Sequence, residues 1–170
     1  MYAPIDFAVL KLYNVTMTLQ HERFMQEAVL EAYKAAAKGE IPVGAVVVYE
    51  GEIVGRGHNL RITDFDASAH AEVVAIRAAG AALKRWNLTD CDMYVTLEPC
   101  AMCAGAIVNA RLRAVYFGAP DPRFGACGTL INIAAWDKLN HRAEVVGGIM
   151  GEECSKILTE HFKEMRKRNG

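Results

Sequence analysis

The stretch Asp92-Met93-Tyr94-Val95-Thr96-Leu97-Glu98-Pro99-Cys100-Ala101-Met102-Cys103 decides how the rest of the chain is read. Its first half, rich in β-branched and aromatic residues, predicts a strand over 92–97. Pro99 then suits the first turn of a helix, where its missing N–H removes no bond, and that helix is expected over about 100–110. A strand that runs directly into a helix is a building unit of α/β sheets. Cys100 and Cys103 are three positions apart, so they share one face of the helix, in its first turn.

Upstream stands His70-Ala71-Glu72. Two thiolates and one imidazole make three zinc ligands and leave the fourth tetrahedral position to water. Structural zinc sites are closed by four protein ligands, whereas catalytic ones keep that position open. Glu72 is then placed to move protons. His70 and Glu72 lie about 200° apart around a helix, so they can serve one site only in its first turn. Ser68 is the expected N-cap of that helix. Two helix N-termini should therefore meet at the metal, their positive ends offsetting the negative charge of thiolates, hydroxide and carboxylate. The competing reading is a structural zinc site completed by another Cys or His. His58 at a strand end, His141 in a late loop, and His21 and His161 on surface helices are the remaining histidines.

Outward from this centre, Phe24, Met25, Ala28, Val29, Ala32, Ala35 and Ala36 recur at helical spacing over 21–38, and Gly39 is a natural stop. Pro42 opens the nearly all-apolar run 43–49, which suits a strand buried on both faces. Glu50-Gly51 is a turn, and 52–59 returns as the second strand of a hairpin. A polar loop over 64–68 leads into an alanine-rich helix over about 69–82. Beyond 110, a fourth strand is expected at 113–118, followed by a loop over 119–128. A short helix around 130–136, a fifth strand at 143–146 and a final helix from 151 to about 168 complete the chain. Strands alternating with helices predict a three-layer α/β/α sandwich around a mixed five-stranded sheet. Residues 1–20 are expected to be an N-terminal extension, with Met17 as an alternative start, and 21–170 the one folded domain.

The composition, 170 residues with 52% hydrophobic and 23% charged, is that of one globular domain. A formal net charge of −1 gives no global attraction to nucleic acid. From residue 156 onward, however, Lys156, Lys163, Arg166, Lys167 and Arg168 outnumber Glu160 and Glu164, so any phosphate contact should include this end. The plainer reading is a solvated helix end with cations suited to the helix dipole. Five cysteines, an odd number with two claimed by the metal, point to a reducing, cytoplasmic compartment rather than a disulfide framework. Asp6 and Lys11 make the first residues a poor signal peptide. No stretch approaches the ~20 apolar residues of a membrane span, so no membrane partner is expected.

His-x-Glu followed by Pro-Cys-x-x-Cys is the signature of zinc-dependent nucleobase deaminases. Other stretches are more discriminating: Ile41-Pro42-Val43-Gly44-Ala45, Gly57-His58-Asn59, the run from Val95 to Ile107, Gly118-Ala119-Pro120-Asp121, Leu139-Asn140-His141-Arg142 and Phe162-Lys163-Glu164-Met165-Arg166. Through them the sequence, over about 21–168, resembles the bacterial tRNA-specific adenosine deaminases. The resemblance implies a cytidine-deaminase-like fold. It also implies one Zn²⁺ per subunit on His70, Cys100 and Cys103, with Glu72 as proton shuttle. A homodimer, both subunits contacting a tRNA anticodon stem-loop, is implied as well. It further implies that Asn59 hydrogen-bonds the target base, its amide offering donor and acceptor, and that Asp121 contacts the ribose. Arg123 and Phe124 add a cation and a ring suited to phosphate contact and base stacking. Read without the resemblance, Asn59 is a turn residue after a strand, Asp121 a loop cap beside proline, and Arg123-Phe124 a packing pair. Two departures stand out: Asp66-Ala67-Ser68 where the family often has Asp-Pro-Thr, and Cys127 where small apolar residues are usual.

The leading expectation is hydrolytic deamination of a wobble adenosine to inosine, zinc-bound hydroxide replacing the purine amine. Anticodon bases are unpaired and cheap to extrude. The same-class alternative is a free nucleobase or nucleoside deaminase of guanine or cytidine type. An RNA-binding module without catalysis is the third reading, and it leaves Glu72 without a purpose.

Overall fold

A computed structural model describes residues 7–168, with side-chain environments from 17 onward. In chain order the elements are α1 (Phe7–Ala37), β1 (Gly44–Tyr49), β2 (Glu52–His58), α2 (Ala71–Leu83), β3 (Cys91–Leu97), α3 (Ala101–Ala110), β4 (Ala114–Ala119), β5 (Glu144–Gly147) and α4 (Gly151–Arg168). The strands form one sheet in the order β2-β1-β3-β4-β5. β1 pairs antiparallel with β2 and β3, while β3–β4 and β4–β5 are parallel, so the sheet is mixed as expected.

Strand alternation sorts the core into two halves. Ala45 and Val47 of β1, Met93 and Val95 of β3, and Val115 and Phe117 of β4 face one side, where α2 brings Ala71, Ala75 and Ala79 and α3 brings Ala104 and Ile107. Val46, Val48 and Tyr94 face the other, against Phe24, Met25, Ala28 and Val29 of α1 and Cys154 and Ile157 of α4. β1 is thus covered on both faces, which is why its sequence is apolar at nearly every position rather than alternating. The three-layer α/β/α architecture follows.

Two local features position the site. The hairpin turns on Glu50 and Gly51, both at positive φ (49° and 81°), with Tyr49 paired to Glu52, the backbone a two-residue loop demands. On β2, a Cβ at Gly55 or Gly57 would collide with the backbone of α2 at Ala71, Ala75 or Ala79. The absence of those side chains lets the helix lie directly on the strand and sets where its N-terminus ends up.

Two expectations are corrected. Residues 130–136 form no helix. Cys127 bridges Asn132, and Ile133 N–H bonds Ala126 O at 2.9 Å, so the backbone is committed to the preceding loop. Leu130, Ile131 and Trp136 stay exposed and only Ala134 and Ile133 reach the core, too few to give a helix a buried face. α1 is also longer than the 21–38 helix read from the sequence, beginning at Phe7. Residues 1–6 of the expected extension lie outside the described residues. No helix among the described residues is long and apolar enough to cross a membrane.

Candidate active site

Both helices that reach the site begin on a metal-ligand candidate. His70 is the N-cap of α2 (φ −79°, ψ 153°) and Cys100 the N-cap of α3 (φ −72°, ψ 174°), and neither side chain makes the usual capping hydrogen bond. Ser, Thr, Asp or Asn normally take this position to satisfy a free N–H. Here it is given to side chains that point away toward each other. Ser68 is not the cap expected of it: its N–H and hydroxyl both bond Asp66 Oδ1 at 2.7 Å, closing the turn before His70. Asn59 serves α2 instead, its Oδ1 accepting the Ala71 N–H at 3.0 Å while its Nδ2 donates to the Ile41 carbonyl at 3.1 Å.

His70 Nδ1 lies 3.7 Å from Cys100 Sγ and 3.5 Å from Cys103 Sγ. The three ligand atoms fall within 4.8 Å of one another. The other described histidines are engaged elsewhere. His58 pairs with Glu31, His141 with the Leu112 carbonyl and His21 with the Tyr94 hydroxyl, while His161 packs on Phe162. One imidazole and two thiols is a donor set that zinc favours, and a cluster of three fits an open site better than a closed one.

Protons are distributed unevenly over this cluster. The Cys100 thiol is drawn down to about 3, first by its hydrogen bond with Cys103 and then by His70, which together outweigh burial. Cys103 is pushed up by its bond to Cys100 and by burial. A divalent ion bound here would displace any proton the two thiols share. The hydrogen bond to Cys100 raises His70. Glu72, in the first turn of α2 and 4% exposed, is raised chiefly by burial, with His70 opposing. Burial thus moves its titration toward the neutral range in which a proton shuttle works best.

His70, Glu72 and Cys100 line a cavity of about 590 Å³, ample for a nucleoside. Asn59, Asp121, Arg123 and Phe124 line it too, so the eight residues singled out in the sequence gather at one place. Asp121 is also the loop cap of the plainer reading: its Oδ1 accepts the N–H groups of Arg123 at 2.8 Å and Phe124 at 3.2 Å. The Arg123 guanidinium sits 6.0 Å from the Phe124 ring centroid, and that ring is 64% exposed.

Sequence reasoning missed the roles of three residues. Leu158 and Phe162 carry α4 into the cavity wall; the signal was an apolar stripe ending in a basic tail, which reads equally as core. Glu98, quoted inside the motif without a role, is 2% exposed and accepts the N–H groups of Asp121 (3.0 Å), Cys127 (3.1 Å) and Thr129 (2.9 Å) together with the Thr129 hydroxyl. Burial would raise this carboxyl, but those bonds hold it below the usual carboxylate range. Glu98 gathers the loop after β4, which is also bridged to Cys100 through Gly125 and bonded from Ala126 N–H to Pro99 O, with no room for a Cβ at Gly125. A lone carboxylate between an apolar strand and a proline was the available clue. Cys127 is the small buried residue expected, its thiol pushed up to about 12 by burial.

Residues 18–119 match the cytidine and deoxycytidylate deaminase zinc-binding region. The chain is 51% identical over 149 residues, 88% of its length and 92% of the relative's, to the tRNA-specific adenosine deaminase of Bacillus subtilis (strain 168). A structure from a study of A-to-I editing by tRNA:A34 deaminases at the wobble position of transfer RNA superposes with a TM-score of 0.77 at 40% identity, covering 80% of this chain and 99% of that one. Guanine deaminase from Bacillus subtilis is 45% identical but covers only 59% of this chain and 64% of its own, with a TM-score of 0.56. By family match and by near full-length similarity, the chain belongs to the cytidine and deoxycytidylate deaminase family, in its branch of tRNA-specific adenosine deaminases.

Proposed function

We propose that this protein deaminates the wobble adenosine of a tRNA anticodon loop to inosine, releasing ammonia. The observation that carries the reading is the near full-length similarity to a tRNA-specific adenosine deaminase, on a chain whose cavity joins Glu72 to two exposed loops. His70, Cys100 and Cys103 would hold one zinc ion per subunit. When bound, the ion supplies a water of lowered pKa. Glu72 takes a proton from the attacking water and gives it to the ring nitrogen beside the amino-bearing carbon. It then helps protonate the departing amine. The sum is adenosine plus water giving inosine plus ammonia. Asn59 has one amide hydrogen and one oxygen lone pair left after capping α2, and these recognise the purine edge. Asp121 keeps its second carboxylate oxygen for the ribose, and Arg123 and Phe124 meet phosphate and base at the rim. The catalytic unit is residues 21–170, and it works as a homodimer. Five cysteines, unpaired among the described residues, suit the reducing cytoplasm in which tRNA is found.

The discriminating experiment incubates the zinc-loaded protein with an anticodon stem-loop, free adenosine, cytidine and guanine in parallel. Inosine in the stem-loop, read by mass spectrometry, is expected. Turnover of free guanine with an inert stem-loop would reverse the assignment.

A further inference from the structure

Glu40, in the connection between α1 and β1, takes no part in the chemistry above, yet it is 1% exposed. Its Oε1 accepts the N–H groups of Ile62 and Thr63, each at 2.8 Å, and the Thr63 hydroxyl at 2.9 Å. The loop it holds is tightened internally, Asp64 N–H to Leu60 O at 2.8 Å and Asp66 N–H to Arg61 O at 3.2 Å. Arg61 of this loop lines the same cavity as Arg123 and Phe124. Phe65, near its tip, is 96% exposed and held at φ +53°, a region that disfavours bulky side chains. A ring that buries nothing, on a strained backbone, in a loop anchored by a buried carboxylate, gives the fold no stability of its own.

We infer that loop 60–66 is a second RNA-contact loop, in which Phe65 stacks on an unpaired base flanking the target nucleotide and Glu40 is the positioning residue. This rests on the RNA reading above. Single-stranded nucleic acid is gripped by cations along the backbone and aromatic faces under the bases, and this loop carries one of each, Arg61 in the cavity wall and Phe65 exposed four positions on. Asp64 and Asp66 flank the ring, and Asp66 is engaged by Ser68. Their charge turns phosphate away from Phe65 and toward Arg61, so the ring meets a base face.

The test is Phe65→Gly, which removes the ring and relieves the positive φ. Its Tm is unchanged or raised, while the stem-loop KM, and the Kd by fluorescence anisotropy, rise about tenfold. Stem-loops carrying a single abasic site at each unpaired position locate the partner. At one position the wild type loses what Phe65→Gly has already lost, and the variant loses no more. Glu40→Ala raises KM in the same way, and Glu40→Gln, which keeps an acceptor oxygen, recovers part of it. Binding within twofold of wild type for Phe65→Gly, or additive losses at every abasic position, overturns the inference. So does a shift of oligomeric state in sedimentation, which would make a second copy of the chain the occupant. A wild-type protein that binds the stem-loop without editing it would sink the proposed reaction while leaving the Phe65 contact measurable.

Discussion

The floor of the cavity and its walls are held in different ways. His70, Glu72, Cys100 and Cys103 stand at the first turns of two helices whose later turns, through Ala75, Ala79, Ala104 and Ile107, are in the core. The walls are the loops over 60–66 and 119–129, each gathered on a buried carboxylate, Glu40 or Glu98, in addition to backbone bonds such as Ala126 N–H to Pro99 O at 2.9 Å. Rigid elements suit groups that must meet reacting atoms within fractions of an ångström. Loops suit a large and variable substrate. The contrast predicts that substitutions in the floor act locally on chemistry, whereas removing one carboxylate frees a whole wall.

The largest effect is expected in the floor. Glu72→Gln keeps the shape of the buried carboxyl and removes its proton chemistry, so the stem-loop rate should fall about 10²–10⁴-fold. Zinc content by atomic absorption and Tm should stay near wild type. An unchanged rate would take Glu72 out of the mechanism and erase the distinction just drawn. In the wall, Glu98→Ala leaves three N–H groups and a hydroxyl without their acceptor, and about 3 kcal/mol of stability should be lost. Amide exchange at Cys127 and Thr129 should accelerate well ahead of global unfolding. Unaltered exchange there would mean that the loop is held by something other than this clasp.

The floor was legible because metal ligation needs particular residue types at particular spacings, and those survive in one dimension. The sheet was legible for a similar reason: hydrophobic periodicity names strands and helices whatever their partners. The walls were not. Glu40 and Glu98 act on N–H groups more than twenty positions away, and no local pattern announces such a bond. The expected helix at 130–136 failed on the same ground, since Leu130, Ile131 and Trp136 looked like part of a buried face but are exposed. Ser68 is the reverse case. Serine favours the cap position, yet that position is needed for His70, and Asn59 supplies the hydrogen bond from just beyond the end of β2.

Asn59 joins the two regions, since it caps the floor's helix and also lines the cavity. Asn59→Asp keeps the acceptor for the Ala71 N–H but loses the donor to the Ile41 carbonyl, and Asn59→Ala loses both, so each should cost about 1 kcal/mol or more by denaturant unfolding. Both should raise the stem-loop KM if the amide reads the base. A loss of activity confined to Asn59→Ala would make this residue a helix cap alone.

The smallest effect is a difference in acid response between wall and floor. Burial alone would raise the Glu40 carboxyl, but the bonds from Thr63 and Ile62 outweigh it and hold the folded value below the ordinary 4.5. A depressed carboxylate contributes its stability in full above the unfolded value and loses it as pH falls through the folded one. The Ala71 N–H, by contrast, is held by the amide oxygen of Asn59, which does not titrate in this range. Lowering the pH below about 4.5 should therefore speed amide exchange at Ile62 and Thr63, after correction for intrinsic rates, before it does so at Ala71. In Glu40→Gln the acceptor has no proton to gain, so exchange at those two amides should start faster and show no separate acid step. Equal acid responses at Thr63 and Ala71 would show that wall and floor open together, and that the Glu40 tether does not set the loop apart.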